Sequence, residues 1–382
     1  KRPRPLLLEP KDTTILRGRS GAAARCALPC AGTSRPGRIC PFTQTGVSMQ
    51  RNRKVVLVSR PDGMPAAANF RIDEEDLGPL DEGQVRVDVD TLSIDAFIRT
   101  VLEESSYHRS VPLGGTVAAI GVGRVLESRA PDLAAGDAVV GPLSAQTVAT
   151  LPAHLLQKLD VSRAPLRAYL GILGLTSGVT AYMGVRHVGH VKPGETFVVS
   201  GAAGAVGSLA GQIARLDGAR VSGIAGGPQT GKVLVEGLGF DAAIDYKGED
   251  VRARLRELAP EGIDVFFDNV GGEILDDVLD HIKEGSRIVI CGAISQYQGD
   301  ISGGVRGPSL YLRLAERHAR MEGFAVHHFE DRYGEAAMAL AGWLAKGEIQ
   351  LHEHVEEGLD RFGDTLRMLF TGGHTGKLLL AL

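Results

Sequence analysis

Residues 196–207 read T-F-V-V-S-G-A-A-G-A-V-G, an apolar run that passes into a glycine/alanine turn. Helical spacing follows, with Val206, Leu209, Ile213 and Leu216 on one face of Ala205–Asp217. Inside this stretch, Ala202-x-Gly204-x-x-Gly207 has the spacing of a dinucleotide fingerprint with alanine in first place. The chemistry such spacing serves is phosphate binding. Gly204 lets backbone approach a pyrophosphate, and Gly207 lets the helix sit close to its strand. The helix N-terminus, over Gly204, Ala205, Val206 and Gly207, then presents free N–H groups to anionic oxygen. The strand before the motif and the helix after it separate this case from an incidental glycine turn.

Cofactor choice is read about 20 residues further on. A site for NAD places Asp or Glu at the end of the second strand, on the ribose 2′-hydroxyl. Here that end is Ile224-Ala225-Gly226-Gly227, without an acid, and Lys232 and Lys247 follow as sources of positive charge. The expectation is NADP(H).

Metal chemistry finds little support in the same residues. His187-x-x-His190 and His352-x-His354 lack a Cys or a third ligand at the usual spacing. Cys26, Cys30 and Cys40 have no C-x2-C arrangement, and Cys291 stands alone after an apolar run. No metal is expected, and the thiols read as reduced, as in a cytoplasmic protein.

The elements that position these residues follow from patterning. Lys54–Ser59, Gln84–Asp90, Ala119–Ser128 and Ala138–Gly141 read as short strands separated by turns, a β-rich first domain. Strands then alternate with helices: strands at Thr196–Ser200, Arg220–Ala225, Ala242–Asp245, Ile263–Asp268 and Arg287–Cys291. The helices between them are Ala205–Asp217, Thr230–Leu238, Asp250–Leu258 and Glu273–Lys283. That alternation predicts an α/β protein with a doubly wound parallel sheet. Two further helices, Gly334–Lys346 and Arg361–Thr371, precede a last strand at Lys377–Leu382.

Composition sets outer limits. Of the 50 glycines in 382 residues, 28 fall in residues 171–330, the proposed nucleotide domain. No run of apolar residues is long enough to span a membrane. Residues 1–50 carry nine Lys/Arg and two acids, which leaves 33 basic and 44 acidic residues for the rest. The first segment has no periodicity and reads as a disordered leader or non-native extension ahead of Met49. Its Arg-rich, acid-poor makeup weakly suits a transit segment, and a nucleic-acid-binding arm is the least favoured reading.

From about residue 53 onward the chain resembles the medium-chain dehydrogenase/reductase superfamily. More narrowly it is similar to the zinc-independent prostaglandin reductase and leukotriene B4 12-hydroxydehydrogenase branch, which includes alkenal double-bond reductases. The resemblance rests on Ala202–Gly207, Leu238–Lys247 (L-G-F-D-A-A-I-D-Y-K), Phe267–Gly272 (F-D-N-V-G-G), Cys291–Tyr297 (C-G-A-I-S-Q-Y) and Gly376-Lys377. It implies a GroES-like catalytic domain over 51–167, a Rossmann domain over 168–330 and a return to the catalytic domain over 331–382. A homodimer acting on a small-molecule enone or alkenal is implied as well.

Site residues carry over by position. Gly204–Gly207 would hold the pyrophosphate, Tyr246 the adenosine ribose and its phosphate, and Asn269 would line the cleft. Cys291, Gly292, Ala293, Ile294, Ser295 and Tyr297 would run beside the nicotinamide half, with Phe324, Ala325 and Val326 at its end. Departures are visible too. Thr230 stands where the family has the lysine that grips the 2′-phosphate, with Lys232 two residues on. His374 replaces an asparagine before Gly-Lys, and Asp95-Ala96-Phe97-Ile98-Arg99 loses a tyrosine hydroxyl. Ser144–Thr150 replaces an aromatic stretch after Gly141. Zinc-dependent members need Cys and Gly-His-Glu segments, and the corresponding stretches are Ser93–Asp95 and Gly114-Gly115-Thr116.

The implied reaction is hydride addition from nicotinamide C4 to the β-carbon of an α,β-unsaturated ketone or aldehyde. The developing enolate oxygen then needs a hydrogen-bond donor, for which Tyr297 and Tyr107 are the candidates beside the nicotinamide ribose 2′-hydroxyl. Tyr297 read only as a cofactor-holding residue stays open. So do an NADPH:quinone reductase and a non-catalytic nucleotide-binding protein.

Overall fold

A computed structural model describes residues 51–104, 109–297 and 306–382. The leader read over residues 1–50 and Tyr107 both lie outside the described residues.

The first strands are β1 (Arg51–Leu57), β2 (Phe70–Asp76) and β3 (Gln84–Ser93), followed by the short helix α1 (Phe97–Val101). β1 and β2 form an antiparallel pair. Four consecutive acids, Asp73–Asp76, hide β2 from a reading of apolar alternation. Pairing with basic β1 explains it: Arg51 meets Asp76 at 3.0 Å and Glu74 at 3.4 Å, and Lys54 meets Glu75. Then come β4 (Ile120–Ser128), β5 (Ala138–Gly141), β6 (Val148–Pro152) and β7 (Gln157–Lys158). On β3, Val85, Val87 and Val89 enter the core, while Asp88 and Asp90 are exposed, the alternation expected of a half-covered strand.

The second sheet begins after α2 (Thr180–Met183). It is built from β8 (Thr196–Ser200), α3 (Ala205–Leu216), β9 (Arg220–Ala225), α4 (Pro228–Lys232), β10 (Ala242–Asp245), α5 (Val251–Leu258), β11 (Ile263–Asp268), α6 (Gly272–Leu279), β12 (Ile282–Ile290), α7 (Leu312–Glu316) and β13 (Arg320–Gly323). All six strands are parallel, in the order β10-β9-β8-β11-β12-β13. Phe197, Val198, Val199 and Ser200 of β8 are all fully buried, because helices cover both faces of a parallel sheet. Phe197 and Val199 join the core on one face and Val198 the core on the other. The strand order reverses between β8 and β11, which makes their carboxyl ends the crevice where such sheets bind ligands.

The chain closes with α8 (Tyr333–Lys346), β14 (Glu353–Glu357), α9 (Phe362–Thr371) and β15 (Lys377–Ala381). β15 runs antiparallel to β3, with Leu380 opposite Leu92, and carries β14 on its other edge. The tail therefore completes the mixed sheet β14-β15-β3-β4-β5-β7, in which β6 also pairs with β3.

A boundary difference from the sequence pattern lies between α6 and β12. A helix through Lys283 and a strand from Arg287 are expected, but α6 stops at Leu279 and β12 starts at Ile282. Ile282 pairs with Ile263 and Arg287 with Val265, so the four residues between bulge out of the ladder. Gly285, at φ +75°, makes that bulge possible, and its polar neighbours disguise the strand as a helix end.

Candidate active site

The phosphate loop lies at the carboxyl end of β8. Gly201 takes φ +59°, a left-handed conformation that favours glycine, and Ala202 N–H donates to Ile224 O at 3.1 Å. A Cβ on Gly207 would fall 2.3 Å from Gly201 O, and one on Gly204 would fall 3.3 Å from the same oxygen. A side chain at Gly207 would force the helix off the loop, and one at Gly204 would crowd the same oxygen. Gly204 caps α3 with extended backbone, so the N–H groups of Ala205, Val206 and Gly207 have no partner within the helix. The residues present fit a dinucleotide pyrophosphate.

The residues expected to meet the adenosine lie at the ends of β9 and β10. Tyr246 N–H donates to Ala225 O at 3.1 Å, and Lys247 Nζ lies 5.9 Å from the centre of the Tyr246 ring. A Cβ on Gly226 would come within 3.0 Å of Tyr246 and 2.9 Å of Lys247, so the missing side chain lets both approach the end of β9. Asp245 accepts N–H groups from Gly227 at 2.7 Å and Lys247 at 3.0 Å, and these bonds hold its carboxyl below the usual range. Lys232 lies instead in a groove lined by Glu236, Asp245 and Glu249, with Thr230 two residues before it on α4. The structure brings Lys247 rather than Lys232 onto Tyr246.

A buried network joins β8 to β11 at the point of reversal. Ser200 Oγ donates to Asp268 Oδ1 at 2.7 Å, and Asp268 also accepts the N–H groups of Val270 and Gly271 at 3.0 Å each. Burial pushes the Asp268 carboxyl above its usual range, against the pull of those bonds. Asn269 donates from Nδ2 to Ser200 O at 2.8 Å, which fixes its side chain along the cleft. Sequence reasoning assigns no role to Ser200 or Asp268, although Asp268 lies inside a recognised motif.

The segment after β12 is laced to this network. Cys291 and Gly292 donate N–H to Asp268 O at 2.9 and 3.1 Å, Ile294 donates to Asn269 O at 3.1 Å, and Ser295 Oγ donates to Val270 O at 2.6 Å. Gly271, at φ +70°, lets Ala293 pack against it. Burial pushes the Cys291 thiol up to about 12, so it stays a neutral wall. Tyr297 folds back so that its hydroxyl oxygen accepts Ala293 N–H at 3.2 Å. Burial raises the Tyr297 phenol above its ordinary value of 10.0, with the Ala293 bond opposing.

Phe324 N–H donates to Ile290 O at 3.3 Å, which places it beside the root of that segment. Its ring meets Phe267 edge-on at 6.4 Å and Phe329 at 6.1 Å, while Ala325 and Val326 lead into the turn beyond. His374 lies behind α9, where Nδ1 pairs with Met368 O at 3.3 Å. Burial holds its pKa below the ordinary 6.5. Two tail contacts escape sequence reasoning: Gly376 N–H on Ala203 O at 2.8 Å, and Lys377 on Asp95 at 2.6 Å.

Fold and site together define a two-domain, dinucleotide-dependent oxidoreductase. Residues 53–159 match the family model described as the N-terminal domain of oxidoreductase, and residues 205–341 match zinc-binding dehydrogenase. NADPH-dependent curcumin reductase of Escherichia coli is 36% identical over 88% of this chain and 98% of its own. The NADP(+)-dependent 2-alkenal reductase of Nicotiana tabacum is 36% identical over 85% and 96%. The crystal structure of CurA from Vibrio vulnificus in complex with NADPH superposes with a TM-score of 0.81, at 34% identity over 86% of this chain and 98% of that one. The chain belongs to the zinc-independent alkenal reductase branch of the medium-chain dehydrogenase/reductase family. It is an NADPH-dependent reductase. Among the described residues no three His, Cys, Asp or Glu side chains gather as metal ligands, despite the name of the second family model. No helix among them is long and apolar enough to cross a membrane.

Proposed function

We propose that the chain reduces the carbon–carbon double bond of α,β-unsaturated ketones and aldehydes, with Tyr297 as the donor to the developing enolate oxygen. NADPH, when bound, supplies the hydride that reaches the β-carbon. Gly204–Gly207 hold its pyrophosphate, Tyr246 and Lys247 face its adenosine phosphate, and Asn269 and the segment 291–297 line the cleft.

The observation that carries the reading is the Tyr297 hydroxyl. Its oxygen is occupied by Ala293 N–H, and among the described residues nothing accepts its proton. Burial keeps the phenol protonated at neutral pH. It is therefore a fixed, neutral donor at the end of the segment that begins with the neutral Cys291 thiol. A donor held in place where negative charge develops needs no reorganisation during reaction. The relatives named for curcumin and for 2-alkenals support the same chemistry.

The test is NADPH oxidation by 2-alkenals, enones and quinones with wild type and Tyr297→Phe. The expected result is enone turnover by wild type, and a loss of about 10²–10³ in kcat for the variant at unchanged NADPH affinity. Unchanged kcat with weaker NADPH binding would reduce Tyr297 to a cofactor-holding residue. Turnover of quinones alone would replace the reading with the quinone reductase one.

A further inference from the structure

We infer that the Asp95–Lys377 ion pair is a positioning device, setting the phosphate loop against the substrate-side domain in the geometry that turnover needs. Lys377 Nζ donates to Asp95 Oδ1 at 2.6 Å, and the lysine side chain is 1% exposed. The other carboxylate oxygen accepts Thr176 Oγ1 at 3.2 Å and also Ser93 Oγ. Ser93 ends β3, Thr176 lies in the turn before α2, and Lys377 begins β15. One carboxylate thus ties the first domain, the entry to the nucleotide domain and the returning tail.

The residue before Lys377 holds the cofactor loop itself. Gly376 N–H donates to Ala203 O at 2.8 Å, and Gly376 pairs with Gly204 as a parallel bridge. Gly376 takes φ +79°, and a Cβ there would lie 1.9 Å from His352 O, so only glycine permits this approach. Gln212 of α3 fastens the same tail, accepting Gln350 N–H and donating to Gln350 O at 2.9 Å each. The tail therefore grips the phosphate loop with its backbone and the substrate side with the neighbouring ammonium.

A buried ion pair adds little net stability, because removing two charges from water cancels most of their attraction. What it does fix is placement. An ammonium facing a carboxylate whose second oxygen is held by two hydroxyls has one position available.

The experiment uses the full chain with Lys377→Met, Asp95→Asn and the double variant. Each single change leaves a buried charge unpartnered and lowers Tm. The double variant removes both charges and regains most of the Tm, while its kcat with a 2-alkenal stays about 10- to 100-fold low. Wild-type Tm together with wild-type kcat in the double variant would overturn the proposal. If the double variant does not fold, Asp95→Glu decides: the proposal requires lower kcat at near-wild-type Tm, and unchanged kcat overturns it.

The turnover arm rests on the enone reading, so a second arm uses no substrate. Amide deuterium uptake over residues 200–208 should be faster in folded double variant, or in Asp95→Glu if only that folds, than in wild type. Equal uptake would overturn the proposal. Absence of enone turnover by wild type would sink the functional reading alone, and the uptake result would still decide this one.

Discussion

The Ser200 hydroxyl donates to Asp268 Oδ1 at 2.7 Å across the point where the parallel sheet reverses its strand order. This bond ties the end of β8, which leads into the phosphate loop, to the end of β11, whose next residues Asn269 and Val270 hold the segment that ends at Tyr297. Asp268→Asn would turn an amide against the N–H groups of Val270 and Gly271 or against Ser200. The expected loss is about 2–4 kcal/mol, from buried donors left without an acceptor. Urea denaturation monitored by circular dichroism reads it as a lower midpoint, and an unchanged midpoint would contradict it.

Lys247 lies 5.9 Å from the centre of the Tyr246 ring, next to the side-chain-free Gly226, and is the cation that the proposed function sets against a 2′-phosphate. Lys247→Ala should weaken NADPH binding about tenfold, a loss of roughly 1.4 kcal/mol, and leave NADH binding unchanged. Lys232→Ala should change neither by as much, since Lys232 lies among Glu236, Asp245 and Glu249. Titration of cofactor fluorescence compares the four affinities. The reverse ranking would return the role to Lys232.

How much of this was legible in the sequence follows the range of the interactions. The phosphate loop is local, and Gly204 and Gly207 declare it through spacing and flanking periodicity. The parallel sheet is legible for the same reason, since Phe197–Val199 and Phe266-Phe267 are short apolar runs between helical patterns. β2 is not legible, because its strand character comes from Arg51 and Lys54 meeting Glu74, Glu75 and Asp76. The Asp95–Lys377 pair spans 282 positions, and nothing near either residue announces that the lysine is buried. Lys247 and Lys232 both offer charge in sequence, and only the turn after β10 separates them.

His374 gives the account a pH dependence. Its folded pKa lies below the ordinary 6.5, chiefly through burial, so the unfolded chain takes up the proton first. Its contribution to stability is full above 6.5 and falls as pH drops from 6.5 toward the folded value. His374→Asn should flatten that part of the curve. Tm measured from about pH 7.5 down to about pH 5 should show the wild type losing more than the variant. Parallel curves would contradict this.

The central claim is that hydride reaches the β-carbon of an enone in a site where the Tyr297 phenol faces the oxygen. The most direct measurement uses NADPH carrying deuterium at nicotinamide C4 with a 2-alkenal, and locates the label in the product by NMR. The account predicts a saturated aldehyde with deuterium on the β-carbon. Deuterium on the former carbonyl carbon of an allylic alcohol, or oxidation of NADPH without label in any product, would contradict it.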